Sequence, residues 1–226
     1  MSWGIYFGVI MAIPSWTYSQ LEAYETCPKK FYHLRVLKDF KDPPNEYSAW
    51  GERVHTALEN RIKDGTPLPD GMTQWEGIAG KLEALPGEKL TEHKMAVDSA
   101  FQPADWKQAW SRGIIDLLVV HGKKAVVADH KTGKRKMTEQ LELYAGYVFS
   151  HYPEVEEVTS CFIWLKEKRI DKQTYSREDV YSIWKGFLPR VTKLESSYER
   201  DSWLARPSGL CKGWCPVTSC EFNSRK

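Results

Sequence analysis

The sequence lacks an apolar run long enough to cross a membrane. Its one uninterrupted apolar stretch, residues 3–14, is shorter than the roughly 20 residues that a spanning helix needs. No charged flank precedes this stretch and no small-residue cleavage site follows it, so a secretory signal is not expected. We therefore expect a cytoplasmic protein. Residues 1–14 are interpreted as a flexible or non-native start, with Met11 as an alternative to Met1.

The chain also lacks a strong charge of either sign. Lys plus Arg total 32 and Asp plus Glu total 30, for a net charge of +2. This balance excludes a histone-like binder, so any contact with nucleic acid must come from a local basic patch. A hydrophobic share of 42% and a charged share of 27% exclude a disordered chain, a collagen and a coiled coil. No glycine-rich lysine loop of the Walker type is present, which excludes an unwinding motor.

Cysteine is scarce and unevenly placed. The count of five is odd, which argues against a disulfide framework. Cys211, Cys215 and Cys220 crowd the end of the chain, and Cys27 could add a fourth thiolate. Four thiolates suit either a 4Fe-4S cluster or structural zinc. Cys161, in an apolar segment, is interpreted as a small buried hydrophobic residue.

Periodicity and capping signals predict an α/β chain of one domain, residues 1–226. The N-terminal part, residues 15–64, is expected to be helical, starting at a capping box of Thr17 and Gln20 and continuing in a helix over 47–62. The catalytic core is expected over 85–200 and a cysteine-rich tail over 205–226. Strands are predicted at 89–98, 113–120, 125–131 and 158–165, and helices at 73–85, 138–151 and from Ser176 to about 198.

Two aspartates and a lysine lie around the predicted hairpin of strands 113–120 and 125–131. Asp129 and Lys131 point to one face by strand alternation, and a turn at Gly122 brings Asp116 opposite Asp129. Two carboxylates this close repel each other unless a proton or cation lies between them, and Mg²⁺ or Mn²⁺ prefers such oxygen ligands. Lys131 could then stabilise charge on an attacked phosphate. The alternative is a surface hairpin in which Lys131 simply pairs with one aspartate.

Four further residues could complete such a site. His55 on a predicted helix is an acceptable ligand for Mn²⁺, although a lone helical histidine is more often a packed or surface residue. Gln140 and Tyr144 share one face of the next helix by their i, i+4 spacing, which an ordinary amphipathic helix also explains. Glu92, on the first strand, could orient Lys131 or a metal-bound water, or could simply be exposed.

Together these segments resemble the RecB-like branch of the PD-(D/E)XK nucleases, and in particular the compact iron–sulfur exonucleases of phages and CRISPR adaptation systems. The matching segments occur in the family's order: residues 15–24 (SWTYSQLEAY), 26–31 (TCPKKF), 51–55 (GERVH), 113–116 (GIID), 128–133 (ADHKTG) and 140–144 (QLELY). The resemblance implies a restriction-endonuclease-like core, in which helices flank a mixed central sheet and a four-cysteine metal site joins the two chain ends.

The resemblance also implies roles for individual residues. His55, Asp116, Asp129 and the carbonyl of His130 would bind the catalytic Mg²⁺ or Mn²⁺, and Lys131 would be the catalytic lysine. Gln140 and Tyr144 would position substrate or support the site. The family's layout, one distant cysteine with a local trio, favours a 4Fe-4S cluster on Cys27, Cys211, Cys215 and Cys220 over zinc.

The implied function is a metal-dependent deoxyribonuclease, an exonuclease acting on single-stranded DNA or DNA ends in phage recombination, repair or DNA degradation. Two alternatives remain: an endonuclease or nuclease subunit of a larger DNA-processing complex, and a non-catalytic, zinc-stapled DNA-binding adaptor. DNA is the expected partner, with a second copy of the chain or a recombination or replication protein as further candidates. Three basic runs could contact DNA: Lys131, Lys134, Arg135 and Lys136; Lys29, Lys30, Arg35 and Lys38; and Lys166, Lys168, Arg169 and Lys172.

Overall fold

The computed structural model describes residues 13–224. The interpretation of residues 1–14 falls almost wholly outside this range. The chain divides into two compact units, Pro43–Gly186 and the described parts of Met1–Asp42 with Phe187–Lys226, and each is presented by itself. Whether they act as one domain stays a prediction. Within the described residues, no helix combines the length and apolar character needed to cross a membrane.

The unit Pro43–Gly186 is built on a five-stranded sheet in the order β1-β2-β3-β4-β5. The strands are β1 (Glu88–Val97), β2 (Ser111–His121), β3 (Lys124–Lys131), β4 (Glu157–Trp164) and β5 (Arg169–Ser176). Neighbouring strands are antiparallel except β3 and β4, which are parallel. A parallel pair needs a crossover connection, and the helix Gln140–His151 provides it. The sheet is therefore mixed, as predicted.

Helices cover this sheet on both faces. The helices of this unit are α3 (Glu46–Asp64), α4 (Glu76–Glu83) and α5 (Gln140–His151). Buried residues of α3 and α4, among them Val54 and Leu58, share one core cluster with Leu117 and Ile163 of the sheet. Leu141 of α5 packs in a separate cluster with Phe162 and Trp164. Because Phe162 alternates with Ile163 along β4, α5 lies on the opposite face from α3 and α4.

Most predicted elements are confirmed within a few residues, but one strand was missed. β5 occupies Arg169–Ser176, a segment for which only a basic run after the last predicted strand was noted. This edge strand is largely exposed on both faces and therefore lacks the alternation of apolar and polar residues that signals a strand. The predicted helix over 73–85 is a 3₁₀ turn, Thr73–Trp75, followed by the shorter α4.

The second unit consists of short helices and the cysteine-rich tail. Thr17 and Gln20 form the predicted capping box at the start of α1 (Tyr18–Thr26), and α2 (Pro28–Phe31) leads into a π-helical turn, Tyr32–Leu37. Ser176 caps a 3₁₀ turn that precedes α6 (Val180–Glu199), which has Pro189 in its interior. From Phe187 onward α6 belongs to this unit, where Arg190 Nε donates to Glu25 Oε1 at 2.7 Å.

Candidate active site

The predicted site lies where β2 and β3 separate. Their ladder runs from His121↔Lys124 to Leu117↔Ala128 and ends there. Continued by one residue, the same register places Asp116 opposite Asp129, as the hairpin pattern predicts. Instead of a further backbone bond, the His130 N–H donates to Asp116 Oδ2 at 2.7 Å. Beyond this point β2 pairs only with β1 and β3 only with β4, so the two aspartates stand at a fork in the sheet.

α3 and β1 bring two more side chains to Asp116. His55 on α3 places Nδ1 3.3 Å from Asp116 Oδ2. Glu92 falls opposite Asp116 in the β1–β2 register, between the pairs Thr91↔Leu117 and His93↔Ile115, and its φ is 45°. A left-handed backbone is uncommon for glutamate and costs free energy, and such residues concentrate at functional sites. One ligand atom each of His55, Glu92 and Asp116 lie within 4.8 Å of one another.

Asp129 and Lys131 form the other half of the site. Asp129 is 2% exposed, and its Oδ2 lies 2.7 Å from Lys131 Nζ in an ion pair that lacks hydrogen-bond geometry. Lys131 Nζ instead donates to Gln140 Oε1 at 2.9 Å. The lysine side chain thus lies between the buried carboxylate of Asp129 and Gln140 of α5, the helix that connects β3 to β4. It remains partly exposed.

A chain of hydrogen bonds fixes the acceptor of Lys131. Gln140 Nε2 donates to the Tyr144 hydroxyl at 2.7 Å, and that hydroxyl donates to the Ile114 carbonyl at 2.9 Å. The i, i+4 spacing on α5 allows the first contact, and the second anchors the pair to β2. The amide oxygen of Gln140 is therefore oriented toward Lys131. Of the two predicted residues, Gln140 contacts the lysine directly and Tyr144 holds Gln140 in place.

Burial and close neighbours shift the pKa values of four groups in the site. Burial alone would raise the pKa of Asp116, but hydrogen bonds from His130 and His55 outweigh it and lower that pKa below its usual range. Burial and the neighbouring Asp116 raise the pKa of Asp129, with Lys131 opposing. The hydrogen bond with Asp116 raises the pKa of His55 despite burial. Burial, and then Asp116, raise the pKa of Glu92.

This donor set fits a hard divalent cation. Glu92 and Asp116 supply carboxylate oxygens and His55 an imidazole nitrogen, which are ligand types for Mg²⁺ or Mn²⁺. The cluster gathers two carboxylates in a small, partly buried volume, and a cation would relieve their repulsion. Asp129 Oδ2 is buried and receives no hydrogen bond, and its one charged partner is Lys131 Nζ at 2.7 Å.

The structure brings the predicted residues together but groups them differently from the expectation. Glu92 joins His55 and Asp116, whereas the expected role was to orient Lys131 or a metal-bound water, or simply to be exposed. Asp129 lies beside Lys131, and its role as a ligand stays a prediction, as does that of the His130 carbonyl. The His130 side chain was missed: its Nδ1 lies 3.4 Å from Asp116 Oδ2. The one sequence signal for its burial is strand alternation, which places His130 on the opposite face of the sheet from Asp129.

The four cysteines of the tail prediction lie in the other unit and line one small cavity. Cys27, Cys211, Cys215 and Cys220 share its wall with Lys29, Lys30 and Arg206. The backbone N–H groups of Lys30 and Arg206 donate to the Cys27 Sγ at 3.5 and 3.4 Å. All five cysteines are free thiols, and across residues 13–224 no three thiol sulfurs lie within 4.8 Å of one another. The structure thus gathers the side chains without a closed metal site.

The solved structures that are similar to this chain include two at low sequence identity. The protein SSO0001 is 14% identical with a TM-score of 0.46, covering 94% of this chain and 88% of its own. A protein of Eubacterium rectale described as a "putative exonuclease" is 11% identical with a TM-score of 0.45, covering 87% and 91%. No curated protein matches the sequence.

A family model matches most of the chain. The model of the PD-(D/E)XK nuclease superfamily matches residues 15–221, which include every segment on which the resemblance depends. The mixed sheet, the carboxylate–histidine cluster and the lysine at the end of β3 agree with this match. The chain belongs to the PD-(D/E)XK nuclease superfamily.

Proposed function

We propose that this chain is a metal-dependent deoxyribonuclease of the exonuclease type, acting in the cytoplasm on DNA ends or single strands. The observation that carries the proposal is the convergence of His55, Glu92 and Asp116 beside a lysine that is fixed by Gln140. A non-catalytic adaptor would not need a lysine that is paired with a buried carboxylate and supported by its own hydrogen-bond chain. The exonuclease assignment itself depends on the order of motifs, which resembles that of the iron–sulfur exonucleases.

The residues suggest a division of labour in hydrolysis of a phosphodiester. When bound, a divalent ion would supply an activated water and neutralise charge on the phosphate. His55, Glu92 and Asp116 would hold it, with Asp129 as a further ligand. Lys131 would donate toward a phosphate oxygen as negative charge develops there. The bond from Lys131 to Gln140 keeps Nζ in place before substrate arrives, so little reorganisation is needed.

We infer a structural role for the cysteine cavity, with a 4Fe-4S cluster as its occupant and zinc as the alternative. A tetrahedral zinc site with Zn–S bonds of about 2.3 Å would hold its thiolates about 3.8 Å apart. A cluster holds them farther apart, because several iron atoms stand between them. Cys27 is close to the N-terminal end of the chain and the other three to its C-terminal end, so the group would join the two ends. Loss of a ligand should then loosen the fold.

The deciding experiment compares end-labelled linear DNA with closed circular DNA, single- and double-stranded, in Mg²⁺ or Mn²⁺. Lys131→Ala is compared with Lys124→Ala, which removes an exposed lysine from the other end of the same strand, seven residues or about 23 Å away. Metal-dependent loss of linear DNA that only Lys131→Ala abolishes supports the proposal. Cutting of circular DNA would favour the endonuclease. Binding without cutting would refute catalysis and favour the adaptor.

A further inference from the structure

A basic groove runs along one side of the candidate active site. Two adjoining cavities of about 310 and 280 Å³ share Gln74, Trp75, Leu165 and Lys168 in their walls. One end is lined by Trp50 of α3 and Thr132, the residue after Lys131. The other end is lined by Lys81 and by Arg169, which is paired with Asp171 at 3.4 Å. The groove therefore begins next to the residues proposed to cut the phosphodiester.

The contact between α3 and the end of β3 fixes this starting point. A Cβ atom on Gly51 would lie 3.4 Å from the Thr132 hydroxyl, so the helix passes close to the strand end here. Gly51 and His55 are one helical turn apart, and Trp50 precedes Gly51. The wall of the groove and the candidate metal ligands are consequently carried by the same two elements.

The charge of the groove suits a polyanion. Lys166 and Lys168 are exposed in its wall, and neither has a carboxylate partner within residues 13–224. Other lysines at turns do have such partners: Lys123 pairs with Glu156 at 2.6 Å and Lys124 with Glu157 at 2.9 Å. No acidic side chain lines either cavity. Unpaired ammonium groups in an acid-free groove match the regular negative charge of a phosphate backbone.

Aromatic side chains at the mouth of the groove favour unpaired bases. Tyr47 is 85% exposed, and it shares a third cavity with Glu46, Trp50 and Arg53. The Arg53 guanidinium lies 5.5 Å from the Trp50 ring centre. Tyr47 and Trp50 are three residues apart on α3 and therefore neighbours on its surface. Bases stack on aromatic rings and guanidinium planes only when their faces are free, which a duplex does not allow.

We propose that this groove binds a single-stranded segment of the DNA substrate, with its phosphates on Lys166 and Lys168 and an unpaired base on Tyr47. The proposal rests on the proposed function, because it assigns the path of the strand that leads to the same cleavage site. The proposed substrate is therefore single-stranded rather than duplex DNA. The basic run after β4 would contact the phosphates of that strand.

Binding is tested by fluorescence anisotropy with a labelled oligothymidine and with a duplex of equal length, in EDTA so that nothing is cut. The first variant carries Lys166→Ala and Lys168→Gly; glycine is chosen because residue 168 has a φ of 51°. Its matched control is Lys123→Ala with Lys124→Ala, which removes the same charge at the β2–β3 turn. A second variant, Tyr47→Ala, changes an exposed side chain and leaves the core intact.

We expect the groove variant to reduce the slope of log K against log salt for the single strand by about 1.4, since each phosphate contact contributes about 0.7. Tyr47→Ala should weaken single-strand binding by roughly 5- to 150-fold, the usual effect of one stacked base. The control variant should retain the native slope. If the groove variant and its control bind the single strand alike, or if the duplex is affected as strongly, the proposal is overturned.

A parallel cleavage assay of the native chain separates the two proposals. If the native chain cuts DNA but both groove variants bind and cut as the control does, the groove assignment fails and the nuclease stands. If the groove variants lose single-strand binding while the native chain cuts nothing in any divalent metal, the groove stands and the nuclease proposal fails.

Discussion

Replacing Tyr144 by phenylalanine tests whether the hydrogen-bond chain positions Lys131. The substitution removes one hydroxyl that accepts from Gln140 Nε2 at 2.7 Å and donates to the Ile114 carbonyl at 2.9 Å. α5 offers a matched control in Tyr147, a fully buried residue whose hydroxyl bonds Ser111 Oγ at 2.6 Å and has no link to Lys131. Each variant leaves polar partners unpaired in the interior, at a cost of about 1–3 kcal/mol.

Stability and activity should therefore separate. At about 2–4 °C per kcal/mol for a chain of this size, both variants should melt several degrees below the native protein. Only Tyr144→Phe frees Gln140 to rotate away from Lys131. A misplacement of about 1 Å costs on the order of 10²-fold in rate, so we expect kcat to fall about 10- to 100-fold with KM little changed. Tyr147→Phe should retain kcat within about twofold.

The assay is steady-state release of nucleotide from a labelled linear single strand at a temperature well below both melting points. Gln140→Ala combined with Tyr144→Phe completes a double-mutant cycle, and the two losses should be strongly non-additive because both act through one lysine. Equal kcat values for the two tyrosine variants, or additive losses in the cycle, would show that Tyr144 is merely a packing residue and that the chain does not position Lys131.

Three further outcomes follow from the geometry. Asp116→Asn should weaken Mn²⁺ binding by at least the 10- to 100-fold that loss of an outer-shell partner costs, measured by isothermal titration calorimetry, while Asp98→Asn in the β1–β2 connection retains it; equal affinities would exclude Asp116 as a ligand. Cys211→Ser should release the metal of the cysteine cavity, measured by elemental analysis, and lower the melting temperature, whereas Cys161→Ala keeps the metal; unchanged metal content in Cys211→Ser would contradict a four-cysteine site. Gly113→Ala places a Cβ 2.9 Å from Tyr147 and 3.2 Å from Tyr144, so it should cost about 1–3 kcal/mol of folding stability and lower kcat as well. Gly77→Ala meets no atom within 4 Å in α4 and should be neutral or stabilising; similar melting curves for the two glycine variants would refute this packing argument.

Local signals in the sequence were sufficient for most of the elements. The capping box of Thr17 and Gln20 indicates the start of α1 by itself, because both of its contacts are made within one turn. The turn at Gly122 and strand alternation place Asp116 opposite Asp129, since a hairpin register depends only on the turn. The edge strand β5 was missed because it buries no continuous face and so carries no local pattern of apolar residues. It is a strand because its backbone pairs with β4, which depends on the tertiary structure.

What the sequence by itself determined is the identity and order of the chemical groups: a histidine on a helix, two aspartates and a lysine around a hairpin, and a glutamine and tyrosine one turn apart. Short-range geometry decides these relations. Only the tertiary structure decided that Glu92, with its left-handed backbone, joins His55 and Asp116. It also decided that Gln140 accepts from Lys131 while Tyr144 anchors Gln140 to a carbonyl of β2. Those contacts connect residues far apart in the chain, and they form because packing on the two faces of the sheet brings α3 and α5 to the point where β2 and β3 separate.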